Sequence, residues 1–232
     1  MTKKAFKLAF RDTIPVLTGY LFLGIGFGIL LAESGYGIGW AFSMALFMYA
    51  GSAQYLAVGL LTGGASLIYA AAATLVVNAR HLFYGISMLD SYKGTGKRKP
   101  YLIFGLTDET YSLVTQNEPP QGMSRHSYCF VVTLLNHIYW IAGCTLGSIA
   151  GKLIPINFEG IEFVLTALFV TLFTEQWLTH KNRFPALVGL GATALCLVFF
   201  PKDIFLIPSM LAIALLLAIG RKTGRRAEDE MA

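Results

Sequence analysis

The sequence predicts an all-α polytopic membrane protein, and three observations carry the prediction. The chain has 232 residues, of which 55% are hydrophobic and only 13% charged, with a mean hydropathy of +0.61. About a quarter of an ordinary soluble domain is charged, so the deficit places the chain in the membrane class. Residues 13–32 and 36–79 contain no Asp, Glu, Lys, Arg or His, and a helical span needs about 20 such residues. Finally, basic residues cluster beside apolar runs: Lys3, Lys4, Lys7 and Arg11 before the first, Lys93, Lys97, Arg98 and Lys99 in a central loop, and Arg221, Lys222, Arg225 and Arg226 after the last. Clusters of this kind also suit nucleic acid. Here topology and anionic headgroups account for each of them, so lipid is the expected partner and nucleic acid is not.

Spans are expected near 13–33, 40–60, 65–78, 82–92, 127–150, 161–179, 185–200 and 204–220, seven to eight crossings with some helices short or broken. With both termini cytoplasmic, the inside holds 15 Lys/Arg and the outside holds Arg80, Lys152 and Lys202, together the full 18, as the positive-inside rule requires. A rival reading makes 65–89 one span and 101–117 another, which leaves Arg80 in mid-membrane. The first apolar run is too long for a signal peptide and lacks an A-x-A site, so it reads as a retained helix. Gly24-x-x-x-Gly28 and Gly143-x-x-x-Gly147-x-x-x-Gly151 mark helices that approach closely, since small residues let backbones touch in lipid. Cys129, Cys144 and Cys196 stand singly in apolar segments, which points to neither disulfide nor metal. No cofactor motif emerges: LGIGFG lies inside a span with no preceding strand, and no G-x-x-x-x-G-K-[ST] loop occurs for ATP.

The chain also predicts a duplication. At an offset of 122 residues, ALFMYAGSAQYL (45–56) falls on ALFVTLFTEQWL (167–178), and TLVVNARHLFYGISML (74–89) on CLVFFPKDIFLIPSML (196–211). Thirteen of the 45 positions from 45 to 89 are identical, among them Gln54 with Gln176 and Phe83 with Phe205. This divides a single membrane domain into repeat 1 (about 13–92), a cytoplasmic linker with an amphipathic helix (93–126), repeat 2 (about 127–220) and a basic tail (221–232). Paired halves are a common transporter construction, with sites at interrupted helices near the midplane.

Polar residues inside apolar runs mark the candidate site. Asn78-Ala79-Arg80-His81 falls where the repeat places Phe200, Pro201, Lys202 and Asp203, so a helix break is expected there. Two readings of that break stand: a turn at the membrane surface, or a buried substrate site, because a mid-membrane cation costs about 2.5–3.5 kcal/mol on insertion scales. A second break is expected at Tyr49-Ala50-Gly51-Ser52-Ala53-Gln54, with Gln176 in the matching place. In the site reading, helix-end N–H groups and Arg80 hold a carboxylate and Gln54 holds an ammonium. Tyr49, Phe83 and Tyr84 pack an apolar side chain. His81 is the candidate proton carrier, with an unperturbed pKa near 6.5. Thr107-Asp108-Glu109 reads as a capped helix start, and its acidic pair is a candidate partner for Arg80. His137, beside Asn136, is a further candidate for a relay or an interhelical bond.

Together, YAGSAQ (49–54), NARHLFYG (78–85), TDETY (107–111) and the Gly-rich first span resemble the AzlC family, the large membrane subunit of branched-chain amino acid exporters. The resemblance covers essentially the whole chain. It implies export of Leu, Ile and Val, with Met as a further candidate, across a bacterial plasma membrane, in company with a small AzlD-type subunit. The family's recurrent residues map to Gly51, Ser52, Gln54, Asn78, Arg80, His81, Asp108 and Glu109. A different class also has to be weighed: an intramembrane enzyme using His81 or His137 with Asp108 or Glu109, although no Ser or Cys nucleophile pairs with them. A third is a scaffold subunit that transports nothing.

Overall fold

The computed structural model describes residues 3–153 and 183–201, with scattered positions between 163 and 178 and between 205 and 217. The chain enters through α1 (Lys3–Asp12), amphipathic, with Ala9 buried and Phe6 and Phe10 facing outward. Thr13 separates it from α2 (Ile14–Glu33) and is fully buried, its hydroxyl donating to the Phe10 carbonyl at 2.8 Å and meeting the Tyr139 hydroxyl at 3.0 Å. Pro15 stands in the first turn of α2, where a missing N–H costs nothing. Next come α3 (Ile38–Phe47), α4 (Gly51–Thr62) and α5 (Leu67–Met88). A 3₁₀ turn (Gly96–Arg98) leads into α6 (Lys99–Phe104), followed by α7 (Asp108–Gln116), α8 (Arg125–Leu153) and α9 (Phe184–Phe199). No strand occurs among the described residues, so the all-α expectation holds.

Among the described residues, three helices are individually long and apolar enough to cross a membrane: α2, α5 and α8. One correction concerns α5. It runs unbroken from Leu67 to Met88, so the turn expected at Arg80-His81, and the two short crossings on either side, do not form. The cause lies in the repeat itself. Pro201 in the second half corresponds to Ala79, and only the proline removes an N–H and clashes with the preceding turn. Accordingly α9 stops at Phe199, Phe200 is extended (φ −118°, ψ 149°), and Ala79 carries its helix straight on.

The chain divides into two compact units: residues 1–66 with 77–164, and residues 67–76 with 165–232. Within the first, α8 is the central post, packed by α1, α2, α3, α6 and α7. Its closest neighbour is α2, and glycine is the reason. A Cβ on Gly24 would lie 2.9 Å from the Cys144 amide nitrogen, and one on Gly143 2.7 Å from the Tyr20 carbonyl oxygen. Gly28 meets the backbone of Cys144 and Ser148, and Gly147 that of Ile25. The glycines predicted to allow close approach therefore face one another, backbone against backbone.

Residues 93–126 form more than a connection. Leu102 and Leu106 beside α6, and Val114 of α7, are buried in one cluster with Met88, Tyr92, Tyr128, Cys129 and Val132. Arg125 ties the end of α7 to the start of α8, donating to the carbonyls of Asn117 and Val114. Within the second unit, Ala73, Ala192 and Cys196 are buried, while Leu75, Val198 and Phe199 are largely exposed and suited to lipid. All three cysteines are free and buried, as expected of packing residues.

Candidate functional site

The site grows from an interrupted helix. α3 ends at Phe47 and α4 starts at Gly51; between them Tyr49 takes the left-handed conformation (φ 42°) and Ala50 is extended (φ −138°, ψ 92°). A tyrosine at positive φ is uncommon and costs about 1–3 kcal/mol, a strain that persists only where the surroundings fix it. They do so here through His137 of α8. Its ring stacks on Tyr49 at 4.2 Å, its Nε2 lies 3.3 Å from the Ala45 carbonyl, and its Nδ1 lies 3.2 Å from the Tyr101 hydroxyl. With Nε2–H donating to the carbonyl and Nδ1 accepting from the phenol, one nitrogen holds the end of α3 and the other ties the ring to α6. The break, at residues 48–50, overlaps the start of the 49–54 segment where the sequence placed it, Gly51–Gln54 being the first turn of α4, and His137 is its clamp.

No side chain caps α4, so its first N–H groups open into the break. Gly51 has to be small because a Cβ there would lie 3.1 Å from the Trp140 ring. Ser52 is buried and accepts from Arg80 Nη2 at 2.8 Å, while Arg80 Nη1 pairs with Asp108 Oδ2 at 2.8 Å. Arg80 therefore bridges α4 and the N-terminus of α7 from the middle of an unbroken α5. A guanidinium in an apolar run is thus satisfied by a carboxylate and a hydroxyl rather than by a turn at the membrane surface.

Around this bridge the contacts form a ring. Gln54, fully buried, accepts from Trp140 Nε1 at 2.7 Å. Trp140 lies edge-on to Tyr20 of α2 at 5.2 Å, and the Tyr20 hydroxyl donates to Glu109 Oε2 at 2.7 Å and meets Thr107 Oγ1 at 2.7 Å. Glu109 adjoins Asp108, which returns the path to Arg80, Ser52 and α4. Thr107 caps α7 as its sequence predicts, accepting from the Thr110 amide at 3.2 Å. Through Thr107, Asp108 and Glu109 the start of α7 joins this ring of contacts.

Several buried polar atoms of this ring have no hydrogen-bond partner: the donors Arg80 Nε and Gln54 Nε2, and the acceptors Asn78 Oδ1 and Asp108 Oδ1. Unpaired buried groups of this kind are rare in folded proteins. Gln54 is reassigned by its neighbour. An indole N–H can only donate, so Oε1 is committed to Trp140 and the amide nitrogen is what remains, a donor suited to a carboxylate and not to an ammonium.

The other expected residues divide. Tyr84 stacks on Tyr111 at 4.7 Å and stays beside the site. Phe83 is 70% exposed, so it is not among the side chains buried around Arg80. His81 is partly exposed, its ring edge-on to Tyr84 at 6.1 Å. Gln176 lies outside the described residues. The sequence reading passed over Trp140 and Tyr20, whose aromatic rings look like ordinary membrane packing until Gln54 and Glu109 are seen beside them. Trp140→Phe is expected to lower the thermal stability of the purified protein, because the orphaned Gln54 oxygen costs about 1–3 kcal/mol. Adding Gln54→Leu should recover part of that loss, as read from melting temperatures.

Fold and site together define a polytopic helical membrane protein with a polar centre built on a broken helix. A family model described as AzlC protein matches residues 15–154. The chain is 46% identical over 224 residues to the branched-chain amino acid transport protein AzlC of Bacillus subtilis (strain 168), covering 97% of this chain and 88% of that one. It is 42% identical over 219 residues to an uncharacterized membrane protein of Helicobacter pylori (strain ATCC 700392 / 26695), covering 94% and 96%. It is 23% identical over 191 residues to the inner membrane protein YgaZ of Escherichia coli (strain K12), covering 79% and 78%. No solved structure matches the chain. The chain belongs to the AzlC family.

Proposed function

We propose that this chain is a carrier, not an enzyme, that moves branched-chain amino acids out of the cell across the bacterial plasma membrane. It works by a gradient, together with a small AzlD-type membrane subunit. In this reading the membrane domain crosses the bilayer an even number of times, so that both termini are cytoplasmic.

The observation that carries the reading is the set of unpaired buried atoms at the break. A zwitterionic amino acid presents one anionic group that needs donors and one cationic group that needs acceptors. Arg80 uses Nη1 on Asp108 and Nη2 on Ser52, which leaves its Nε unpaired. A substrate carboxylate accepts there, from Gln54 Nε2 and from the open N–H groups of α4, where the helix dipole also favours an anion. It does so without displacing Asp108. The ammonium is met by Asp108 Oδ1 and Asn78 Oδ1. Tyr49 adds an apolar wall. The Bacillus subtilis relative is named for branched-chain amino acid transport, and this supports leucine, isoleucine and valine as the substrates.

The interrupted helix supports movement as well as binding. Residues 48–50 lie outside the regular ladder of α3 and α4, and such a joint allows two half-helices to tilt separately as the site opens to either face. Cells fed a leucine-containing dipeptide provide the test, because hydrolysis loads the cytoplasm without an importer for free leucine. Cells producing the chain and its small partner are expected to release leucine several times faster than cells producing neither. Equal release from both would remove the reading, and release that needs only the chain would remove the partner from it.

A further inference from the structure

Glu109 has a role that the substrate site does not use. Its carboxylate lies within the helical bundle, yet no Lys, Arg or His pairs with it among the described residues, whereas its neighbour Asp108 has Arg80. What it has is a row of hydroxyls. Glu109 Oε2, the Tyr20 hydroxyl, Thr107 Oγ1 and Thr110 Oγ1 follow one another at 2.7, 2.7 and 3.1 Å. The row ends on Asn136 of α8, whose Nδ2 donates to Thr110 Oγ1 at 3.0 Å. Asn136 is fully buried and its Oδ1 has no partner.

Counting hydrogens shows what such a row can do. It contains three oxygen-to-oxygen links, and Tyr20, Thr107 and Thr110 bring three hydroxyl hydrogens, each free to rotate. With Glu109 ionised, the Tyr20 hydroxyl donates to the carboxylate and the Thr107 hydroxyl donates to Thr110. With a proton on Glu109, the carboxyl donates to the Tyr20 oxygen, the Tyr20 hydroxyl turns to Thr107, and Thr107 still donates to Thr110, whose own hydrogen reaches the unpartnered Asn136 oxygen once the amide turns over. Both charge states of Glu109 are therefore satisfied without moving a helix. A group selected for one charge state only would be held by a fixed cation, as Asp108 is.

We propose that Glu109 binds and releases one proton in each transport cycle, with Tyr20, Thr107, Thr110 and Asn136 as its relay. The inference rests on the transport reading above and names its coupling ion. The step balances simply: an O–H bond forms on the carboxylate with a proton from water on one side, and the same bond breaks as the proton leaves to the other. Nothing is oxidised or reduced. The titratable and charged groups around Glu109 are Tyr20 on α2, Tyr49 at the break, Asp108 on α7 itself, and Arg80 and Tyr84 on α5. His137 on α8 lies behind Tyr49, with both ring nitrogens engaged. Because Asp108 adjoins both Glu109 and the substrate's ammonium, a proton on Glu109 changes the field in which the zwitterion binds.

Liposomes containing the protein, in the subunit composition that carries leucine, separate the two claims. Leucine counterflow, with leucine on both sides, requires binding and reorientation only. Net leucine flux under an imposed pH gradient requires the proton as well. Wild-type protein is expected to perform both. Glu109→Gln is expected to continue counterflow while its pH-driven flux falls about a hundredfold, the low end of what a positioned proton-transfer group contributes. PH-driven flux undiminished in Glu109→Gln would overturn the assignment. So would loss of both activities in a variant that elutes as folded protein, since that marks a role in structure or binding. If Glu109→Gln does not reach the membrane, Tyr20→Phe decides: slowed pH-driven flux with counterflow kept supports the relay, and unchanged flux overturns it. Wild-type counterflow without any response to a pH gradient removes the proton and leaves the leucine reading standing. Absence of all leucine flux removes the transport reading itself.

Discussion

Arg80→Ala is expected to lower leucine export about 10- to 100-fold, the consequence of losing one charge-assisted hydrogen bond worth about 1.5–3 kcal/mol to the substrate carboxylate. The same change leaves Asp108 without its cation. Breaking a fully buried ion pair costs about 3–5 kcal/mol. The Arg80 and Asp108 side chains are 32% and 27% exposed, so water recovers part of it. About 1–2 kcal/mol of lost stability is the corresponding expectation. Removing both partners should then destabilise less than removing Arg80 alone, because no isolated charge remains, yet export should stay low. Arg80→Lys separates the two roles further. It keeps the charge opposite Asp108 but loses the planar fork that reaches Ser52 and the substrate together. Its melting temperature should recover more than its export rate. Efflux from dipeptide-loaded cells and thermal unfolding of the purified variants check the pattern.

Gly147→Leu is expected to yield no folded protein, and Gly28→Leu likewise. At both positions an added side chain meets helix backbone, that of Ile25 from Gly147 and those of Cys144 and Ser148 from Gly28. Backbone cannot change rotamer, so relief requires α2 and α8 to separate. In lipid that separation forfeits the close packing which holds helices together, since the surrounding tails are as apolar as the side chains. Even alanine should lower stability by about 1–3 kcal/mol, the range for overpacked sites. Gly59 provides the contrast. It lies in α4 with nothing within 4 Å of an added Cβ, so Gly59→Ala should be neutral or gain about 0.5–1 kcal/mol through its lower unfolded-state entropy. The yield of monodisperse protein after detergent extraction, with melting temperatures, distinguishes the three.

These glycines illustrate what was legible in the sequence. Spacing alone identified two stripes of small residues, and the structure sets one against the other. The break before Gln54 was legible for a similar reason: Gly51 and Ser52 weaken a helix locally, and local chemistry is visible in a single sequence. Arg80 was not, because the rule applied to it came from its repeat partner. Proline at 201 breaks its helix, and alanine at 79 has no such effect. A duplication transmits a fold more faithfully than it transmits a kink that depends on one residue. The direction of Gln54 was hidden as well, since which of its atoms stays free is decided by Trp140, 86 positions away. The pairing of Arg80 with Asp108 was legible as charge balance, since an intramembrane cation calls for a carboxylate, although Asp90 lies nearer in the chain.

The most direct measurement of the central claim is the position of bound leucine in an experimental structure of the complex. Its carboxylate should lie within about 3 Å of Arg80 Nε and Gln54 Nε2, with the Arg80–Asp108 pair intact. Leucine seated away from the α3–α4 break, with both of those nitrogens facing protein or lipid instead, would contradict the account.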